Sequence, residues 1–329
     1  MSEDAHRALV RGQPFVVNTN LGTPLTVGAG DLTSHNADGL PAVGLSDQQK
    51  YDFDRAGWLL VPGVLSTDEC AEMRTFALQL ARQPDRLPEH MRCPVAGPLQ
   101  RLADHPLVLG FMNEFVAYAP VANEHRYGFR LETSHLFNRT LEAPGGFKPQ
   151  NGNGLFRMPW NSHFYRCQPG KAWSGLTRVI WELNPVQKGR GGTLFVPGSH
   201  KAAYPAPESV QNAASDLWET YECPAGSVVF FTESITHSAQ PWSNPDNERL
   251  AIFNLYNIVA TRWHSWRPPQ ALIASMPPLR QSLFSAAQPP HHSRGMISWR
   301  SWSLWREWAG DIRSDAARRG TGDGERGTG

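Results

Sequence analysis

From about residue 125 onward, the chain is a series of short apolar runs separated by glycine and proline. Five of these runs combine β-branched and aromatic residues: FRLETSHLF, LTRVIWEL, GTLFVPGSH, GSVVFFTES and ERLAIFNLYN. Runs of this length and composition, bounded by turn residues, are typical of β-strands. We therefore expect a mainly β core whose strands are connected at short intervals.

Alternation within the runs predicts which side chains share a face. LTRVIWEL places three apolar side chains on one face and two charged ones around an isoleucine on the other: Val179, Trp181 and Leu183 against Arg178, Ile180 and Glu182. In the run that follows Glu248, an arginine shares its face with three apolar residues: Arg249, Ala251, Phe253 and Leu255. A buried cation on such a face needs a carboxylate or phosphate partner.

Helical signals precede the β-rich part. Residues 47–56 have a helical pattern, Trp58 to Val61 form a short apolar strand, and Ser66 or Thr67 is placed to cap a second helix. These elements predict helices that flank the β core.

Composition divides the chain into three parts. Residues 1–45 predict an N-terminal arm, residues 46–310 a single domain, and residues 311–329 a disordered tail that ends in RRGTGDGERGTG. Tryptophans at 299, 302, 305 and 308 predict a segment that packs on the core or covers the substrate. GRGG at 189–192 has no following Lys-Ser/Thr and no helix, so it predicts a hairpin turn rather than a phosphate loop.

Charge and cysteine content exclude several classes of protein. The net charge is +1 and the basic residues are scattered, which argues against a nucleic-acid partner. The four cysteines form no CxxC pair, so neither a zinc knuckle nor a disulfide framework is expected. No apolar stretch approaches the ~20 residues that span a bilayer, and the N-terminus shows no signal peptide. The expected setting is cytoplasmic, without a membrane partner.

Two of the twelve histidines stand out by their context. His163 precedes LTRVIWEL by a short loop, His237 ends FFTESITH, and Arg249 follows His237 by 12 residues. Histidines from distant strands can hold a divalent iron, and an arginine can bind a carboxylate. The alternative is two barrel histidines and a surface arginine. His135, on its own β-run, competes with His163.

Three longer stretches carry a family resemblance: FDRAGWLLVPGVLSTDEC, WELNPVQKGRGGTLFVPGSHK and AGSVVFFTESITHSAQPW. Together they resemble the phytanoyl-CoA dioxygenase-like (PhyH) family over roughly residues 50–260. The resemblance implies a double-stranded β-helix, which is a jelly-roll, cupin-like core. It also implies Fe(II) and 2-oxoglutarate as cofactors, O2 as co-substrate and a small-molecule substrate.

The resemblance assigns roles to four residues. It makes His163 and His237 the iron ligands, Arg249 the residue that binds the far carboxylate of 2-oxoglutarate, and Trp181 a neighbour of that cosubstrate. Tyr165 stands where the family has the aspartate of a His-x-Asp motif.

The third iron ligand is therefore unassigned from the sequence. A bacterial subgroup with tyrosine at the position of Tyr165 has an upstream His-Gly-Gly segment, but residues 151–154 here read NGNG. Glu132, Glu182 and Glu233 could replace the aspartate. A phenolate ligand would require the tyrosine pKa of about 10 to fall strongly, so we expect Tyr165 to be a pocket residue near the substrate.

The expected function is hydroxylation of a small molecule. A non-catalytic, metal-poor ligand-binding protein is the alternative. A halogenase-type variant is less favoured, because halogenases leave the aspartate position vacant and tyrosine would fill it.

Overall fold

A computed structural model describes residues 29–151 and 162–285. All described residues belong to one compact unit. Most of the predicted arm, the tryptophan-rich segment and the predicted tail lie outside the described residues.

The described residues form two main antiparallel sheets. Their strands are β1 (Trp58–Val61), β2 (Phe129–Arg139), β3 (Gln150–Asn151), β4 (Tyr165–Gln168), β5 (Lys171–Ser174), β6 (Thr177–Glu182), β7 (Gly192–Val196), β8 (Ser227–Thr232), β9 (Thr236–Gln240) and β10 (Arg249–Ile258). One sheet has the order β1-β8-β6-β10-β2 and the other β3-β9-β7, while β4 and β5 pair separately. This confirms the predicted jelly-roll core.

Helices flank the β core, as predicted. The α-helices are α1 (Asp47–Ala56), α2 (Thr67–Arg82), α3 (Pro106–Phe115), α4 (Gln270–Ser275) and α5 (Pro278–Gln281). Short 3-10 segments cover Ala29–Asp31, Pro84–Arg86, Glu89–Met91, Gly97–Asp104, Ala119–Val121, Ser199–Lys201, Glu208–Gln211 and Ser282–Phe284. Ser46 and Ser66 cap α1 and α2 through capping boxes with Gln49 and Glu69, which explains why both helices begin where the sequence predicts.

The five-stranded sheet separates two apolar clusters. Its outer face packs on the helices, where Phe111 of α3 stacks on Phe230 of β8 at 4.2 Å between ring centroids. Its inner face meets the second sheet through Ile180, Ala251 and Phe253. The alternation predicted for LTRVIWEL and for the run opened by Arg249 is therefore confirmed.

The GRGG segment is a turn, but it does not form a hairpin. The Arg190 N–H donates to the Gln187 carbonyl at 3.0 Å, and the turn joins β6 to β7, which belong to different sheets. The φ of Gly191 is +142°, and a Cβ there would lie 2.3 Å from Trp242. Glycine is needed for this crossover between sheets, so the hairpin prediction was wrong.

The described part of the N-terminal segment is attached to the helical layer. The Val43 N–H donates to the Pro106 carbonyl, and Asp38 pairs with Arg280 at 2.5 Å. Arg280 also pairs with Asp104 at 2.8 Å, and the Tyr127 hydroxyl donates to the same carboxylate. This buried arginine, aspartate and tyrosine group fixes the helices.

Two further predictions can be compared with the described residues. All four cysteines lie among them and are free, as expected. None of the helices found there combines the length and the apolar character needed to cross a lipid bilayer.

Candidate functional site

The connection between β8 and β9 brings together the two histidines singled out by the sequence. His237 lies on β9, opposite Gln150 of β3 and Phe195 of β7. His163 precedes β4, and its carbonyl accepts a hydrogen bond from the Ser234 hydroxyl at 2.8 Å. The β8–β9 connection, which begins at Glu233, therefore lies against His163.

His237 is buried and its ring is fixed by the backbone. Its Nδ1 lies 2.9 Å from the Ile235 carbonyl, which can only accept, so Nδ1 carries the hydrogen. The Nε2 lone pair is left for another partner, and the Gln150 side-chain amide donates to it at 3.0 Å. This tautomer, with Nδ1–H bonded to a carbonyl, is the one that metal-binding histidines adopt.

Glu233 supplies a negative charge between the histidines. One carboxylate oxygen is 2.5 Å from Arg178 Nε, and the other is 3.7 Å from His237 Nε2. Burial alone would raise the pKa of Glu233, but Arg178, His237 and His163 together lower it below its ordinary value. Glu233 is therefore ionised at neutral pH.

Both histidines are neutral at the same pH. Burial lowers the pKa of His237, and this outweighs the opposite effects of Glu233 and the Ile235 carbonyl. Burial also lowers the pKa of His163, against the effect of Glu233. Two neutral imidazoles and one carboxylate are the donor types of the non-haem Fe(II) facial triad.

The donors fit a metal in kind, although they do not enclose one. Within residues 29–151 and 162–285, no three His, Cys, Asp or Glu side chains converge closely enough to hold a metal ion. The contacts give the reason, because Gln150 binds the His237 lone pair and Arg178 binds Glu233. Metal binding at this cluster would require both contacts to rearrange.

The other two candidate glutamates bind other groups of the protein. Glu132 is fully buried, and its carboxylate accepts hydrogen bonds from the backbone N–H groups of Trp263 and His264. Glu182 pairs with Arg249. Of the three glutamates weighed from the sequence, Glu233 is the one within 4 Å of His237, while Glu233 and Glu132 both act on the pKa of His163.

His135 lies on the exposed part of β2, opposite Phe253 of β10. Partial burial, Arg178 and His264 lower its pKa. His163 is the more buried of the two competing histidines and the one that senses Glu233. The contacts therefore favour His163.

Tyr165 does not have the predicted position near the substrate. Its hydroxyl donates to Asp54 of α1 at 2.7 Å, and its ring packs edge-on against His200 at 4.6 Å. Burial and Asp54 raise its pKa, which excludes a phenolate at neutral pH. The side chain joins β4 to α1, so the prediction that Tyr165 is a pocket residue near the substrate, acting in catalysis there, was wrong.

Trp181 is on the wrong face of β6 for its predicted role. It is fully buried in the cluster beneath the helices, where its ring meets His105 at 5.0 Å. Because successive strand residues point to opposite faces, Arg178 and Glu182 face the barrel interior and Trp181 faces away. Trp181 is a core residue, and the prediction that it lies beside the cosubstrate was wrong.

Arg249 opens β10 and is buried inside the barrel, where it pairs with a carboxylate of the same chain. Its Nη2 lies 2.5 Å from Glu182 Oε1 and 3.0 Å from the Tyr221 hydroxyl. Burial would lower the pKa of Arg249, but Glu182 and Tyr221 raise it. The partner that the sequence requires for this cation is therefore present within the barrel.

Phe253 connects the two polar groups. The guanidinium carbons of Arg178 and Arg249 lie 5.9 and 5.3 Å from its ring centroid. Phe137 meets the same ring edge-on at 4.6 Å, and Trp263 meets the His163 ring at 4.6 Å. The histidine cluster and the arginine pair thus adjoin an aromatic wall.

Sequence reasoning missed Gln150 and Tyr221. Gln150 is in a two-residue strand that leaves no periodic signal. Tyr221 lies just before the isolated bridge between Cys223 and Val186, outside the apolar runs. For Arg178 the signal was partial, because the alternation of LTRVIWEL put it on one face with Ile180 and Glu182 but did not show that this face points inward.

Comparison with known proteins gives one family match. The family described as Phytanoyl-CoA dioxygenase (PhyH) matches residues 53–251. A curated relative, Dioxygenase af480 of Aspergillus fumigatus, is 29% identical over 109 residues, which are 32% of this chain and 35% of the relative. The matched part of the chain thus spans about a third of that relative's length.

Solved structures with the same fold include HygX from Streptomyces hygroscopicus. HygX with nickel and 2-oxoglutarate bound has a TM-score of 0.54 and 22% identity, and covers 68% of this chain and 90% of its own. HygX with nickel, 2-oxoglutarate and hygromycin B bound has a TM-score of 0.51 and 20% identity. The match covers 69% of this chain and 94% of the HygX chain.

Proposed function

The chain belongs to the phytanoyl-CoA dioxygenase (PhyH) family, and from that premise we propose that it is an Fe(II)- and 2-oxoglutarate-dependent oxygenase. The proposed reaction hydroxylates a small organic molecule at a C–H bond. It consumes O2 and 2-oxoglutarate and releases succinate and CO2, so one oxygen atom enters the product and the other enters succinate.

The observation that carries this proposal is the buried cluster of two neutral histidines around an ionised glutamate. His163 and His237 would supply two nitrogen ligands, and Glu233 would supply the carboxylate that the absent His-x-Asp motif does not. Glu233 lies 3.7 Å from His237 Nε2, so it would reach a metal bound at that nitrogen once Gln150 and Arg178 release their present contacts. Iron and the oxo acid, when bound, supply the oxidising chemistry.

The surrounding residues hold the two histidines in place. The Ile235 carbonyl fixes the His237 ring and the Ser234 hydroxyl holds the backbone of His163, whereas Glu233 would exchange its contact with Arg178 for the metal. Fixing the first ligands through hydrogen bonds raises metal affinity and keeps the correct tautomer.

The aromatic wall supports a small organic substrate. Trp263 is 56% exposed although its ring contacts His163, and Phe137 and Phe253 pack on each other beside Arg178 and Arg249. Aromatic side chains beside a few polar groups are typical of small-molecule sites. HygX, which shares the fold, binds hygromycin B; this supports the substrate class but does not identify the substrate.

The test is anaerobic titration of the protein with Fe(II) and 2-oxoglutarate, followed by the visible charge-transfer absorption. The band should be lost in His237→Ala, and Fe(II) affinity should fall at least roughly tenfold in Glu233→Gln and in His163→Ala. His200→Gln is the matched control, because His200 is also buried but bonds the Asp54 carbonyl. Absence of the band in the wild-type protein at saturating Fe(II) would refute the proposal.

A non-catalytic ligand-binding protein is the second candidate. Two observations favour it, namely the lack of a converged three-ligand group in the described residues and the pairing of Arg249 with Glu182. Under this alternative, binding of a small molecule would still raise the melting temperature of the protein. The affinity of the protein for that molecule would be the same with and without Fe(II). Calorimetric titration with and without Fe(II) separates the two candidates.

A further inference from the structure

Arg249 and Glu182 form a closed ion pair at the end of the aromatic wall. They lie on the neighbouring strands β10 and β6, and their side chains are 6% and 0% exposed. Arg249 Nε is 3.2 and 3.3 Å from the two Glu182 oxygens, and Nη2 is 2.5 Å from one of them. The chain therefore neutralises this guanidinium before any ligand binds.

Tyr221 and Thr193 complete the group. The Tyr221 hydroxyl donates its one hydrogen to Glu182 Oε1 at 2.6 Å and accepts from Arg249 Nη2 at 3.0 Å. Burial and Glu182 raise the pKa of Tyr221, so the hydroxyl keeps that hydrogen. Arg249 Nη2 also donates to Thr193 Oγ1 at 3.2 Å. A phenol hydrogen given to Glu182 is not available to a second carboxylate.

This group holds Glu182 as it would hold a free carboxylate ligand. An arginine edge together with a hydroxyl donor is an arrangement that captures carboxylates from solution. We propose that Glu182 competes with the distal carboxylate of 2-oxoglutarate for Arg249 and is thereby a specificity-determining residue of the cosubstrate site. This inference rests on the proposed function and on the prediction, implied by the family resemblance, that Arg249 binds that carboxylate.

Competition follows from the charges. A second carboxylate beside Glu182 would place two negative charges on one guanidinium, and like charges in close contact oppose binding. Displacing Glu182 would instead leave its charge buried without the arginine. In either case, the distal carboxylate adds little to the affinity of an oxo acid for the wild-type protein.

The consequence is a change in preference among oxo acids. 2-Oxopentanoate has the five-carbon chain and the reacting end of 2-oxoglutarate, without its distal carboxylate. We expect the wild-type protein to bind the two acids within about threefold of each other, because Arg249 is already neutralised. In Glu182→Gln the guanidinium keeps a neutral partner, so 2-oxoglutarate should bind at least roughly tenfold more tightly than to wild type.

The opposite result has a clear meaning. If Glu182 instead orients Arg249 for the cosubstrate, Glu182→Gln should weaken 2-oxoglutarate binding and leave 2-oxopentanoate unchanged. The sign of the change in 2-oxoglutarate affinity therefore separates a competitor from a positioning residue.

Asp104→Asn provides a matched control. Asp104 is also a buried carboxylate held by an arginine and a tyrosine, Arg280 and Tyr127, but it belongs to the helical layer. Its substitution removes a comparable ion pair, so it should lower the melting temperature without changing the ratio of the two oxo-acid affinities.

The experiment measures dissociation constants of both oxo acids by anaerobic calorimetry on Fe(II)-loaded wild type, Glu182→Gln and Asp104→Asn. Near-equal wild-type affinities and a gain for 2-oxoglutarate in Glu182→Gln support the inference. A wild-type preference for 2-oxoglutarate of tenfold or more (about 1.4 kcal/mol), or a loss in Glu182→Gln, overturns the inference and leaves the proposed function intact. If Glu182→Gln does not fold, the wild-type ratio decides. Failure of both acids to bind any folded variant overturns the proposed function, and the inference with it.

Discussion

Replacing Tyr165 by phenylalanine separates a structural role of this residue from a role at the metal. The substitution removes the 2.7 Å hydrogen bond from the Tyr165 hydroxyl to Asp54 and keeps the ring against His200. A hydrogen bond to a charged group contributes about 1.5–3 kcal/mol. Asp54 is partly exposed and keeps Lys201 at 2.9 Å, so a loss of about 1 kcal/mol in unfolding free energy is expected.

That loss corresponds to a fall of about 2–4 °C in melting temperature for a domain of this size. Fe(II) affinity should be unchanged, because the phenol points to α1 and away from His237. Circular dichroism melting and anaerobic Fe(II) titration measure the two quantities. Tyr51→Phe is the control, since Tyr51 lies in the same helix as Asp54 but is 62% exposed. A tenfold loss of Fe(II) affinity in Tyr165→Phe at unchanged melting temperature would refute this reasoning.

Three further predictions address stability, pH and the choice of histidine. Asp104→Asn should lower the unfolding free energy by about 1–3 kcal/mol, measured in urea, because Arg280 loses its buried 2.8 Å partner and keeps only Asp38; a loss below about 0.5 kcal/mol would contradict a tightly coupled pair. Burial lowers the pKa of His200 to about 4, so the unfolded chain binds the proton first, and stability should fall as pH drops from about 6.5 to 4. In His200→Gln, the melting temperature should fall less steeply as the pH drops. An unchanged dependence of melting temperature on pH would contradict this role of His200. His135→Asn should leave Fe(II) affinity within about twofold of wild type while His163→Asn should lower it at least tenfold, and the reverse order would exchange their roles.

Local pattern was sufficient to predict much of the fold. The first turn of α1 carries its own capping signal in Ser46 and Gln49, and the alternation of residues 177–182 shows which side chains share a face. Such features depend on neighbours a few residues apart, so a single sequence reveals them. Alternation alone does not say which face points into the barrel: the resemblance predicted Trp181 there, whereas the structure has Trp181 in the outer cluster and Arg178 and Glu182 inside.

The site was less predictable because its contacts are long-range. A motif offset locates Tyr165 two residues after His163, but the direction of its side chain depends on pairing with β5 and on Asp54, 111 residues away. Glu132 and Glu233 are equivalent candidates in the sequence. Their different roles come from Trp263 in one case and Arg178 in the other, and only the folded chain shows which partner each acquires.

The arrangement of the two sheets also sets the order in which the site can form. His237 faces Gln150 across a gap of 87 residues, and Trp58 of β1 pairs with Phe231 of β8. Closing such long loops is slow, because the entropy is lost before the contacts form. A partly folded chain, freshly made or refolding, therefore cannot retain a metal or an oxo acid at this site. Ligand binding reports completed folding, and it should protect the backbone amides of both sheets together from hydrogen exchange.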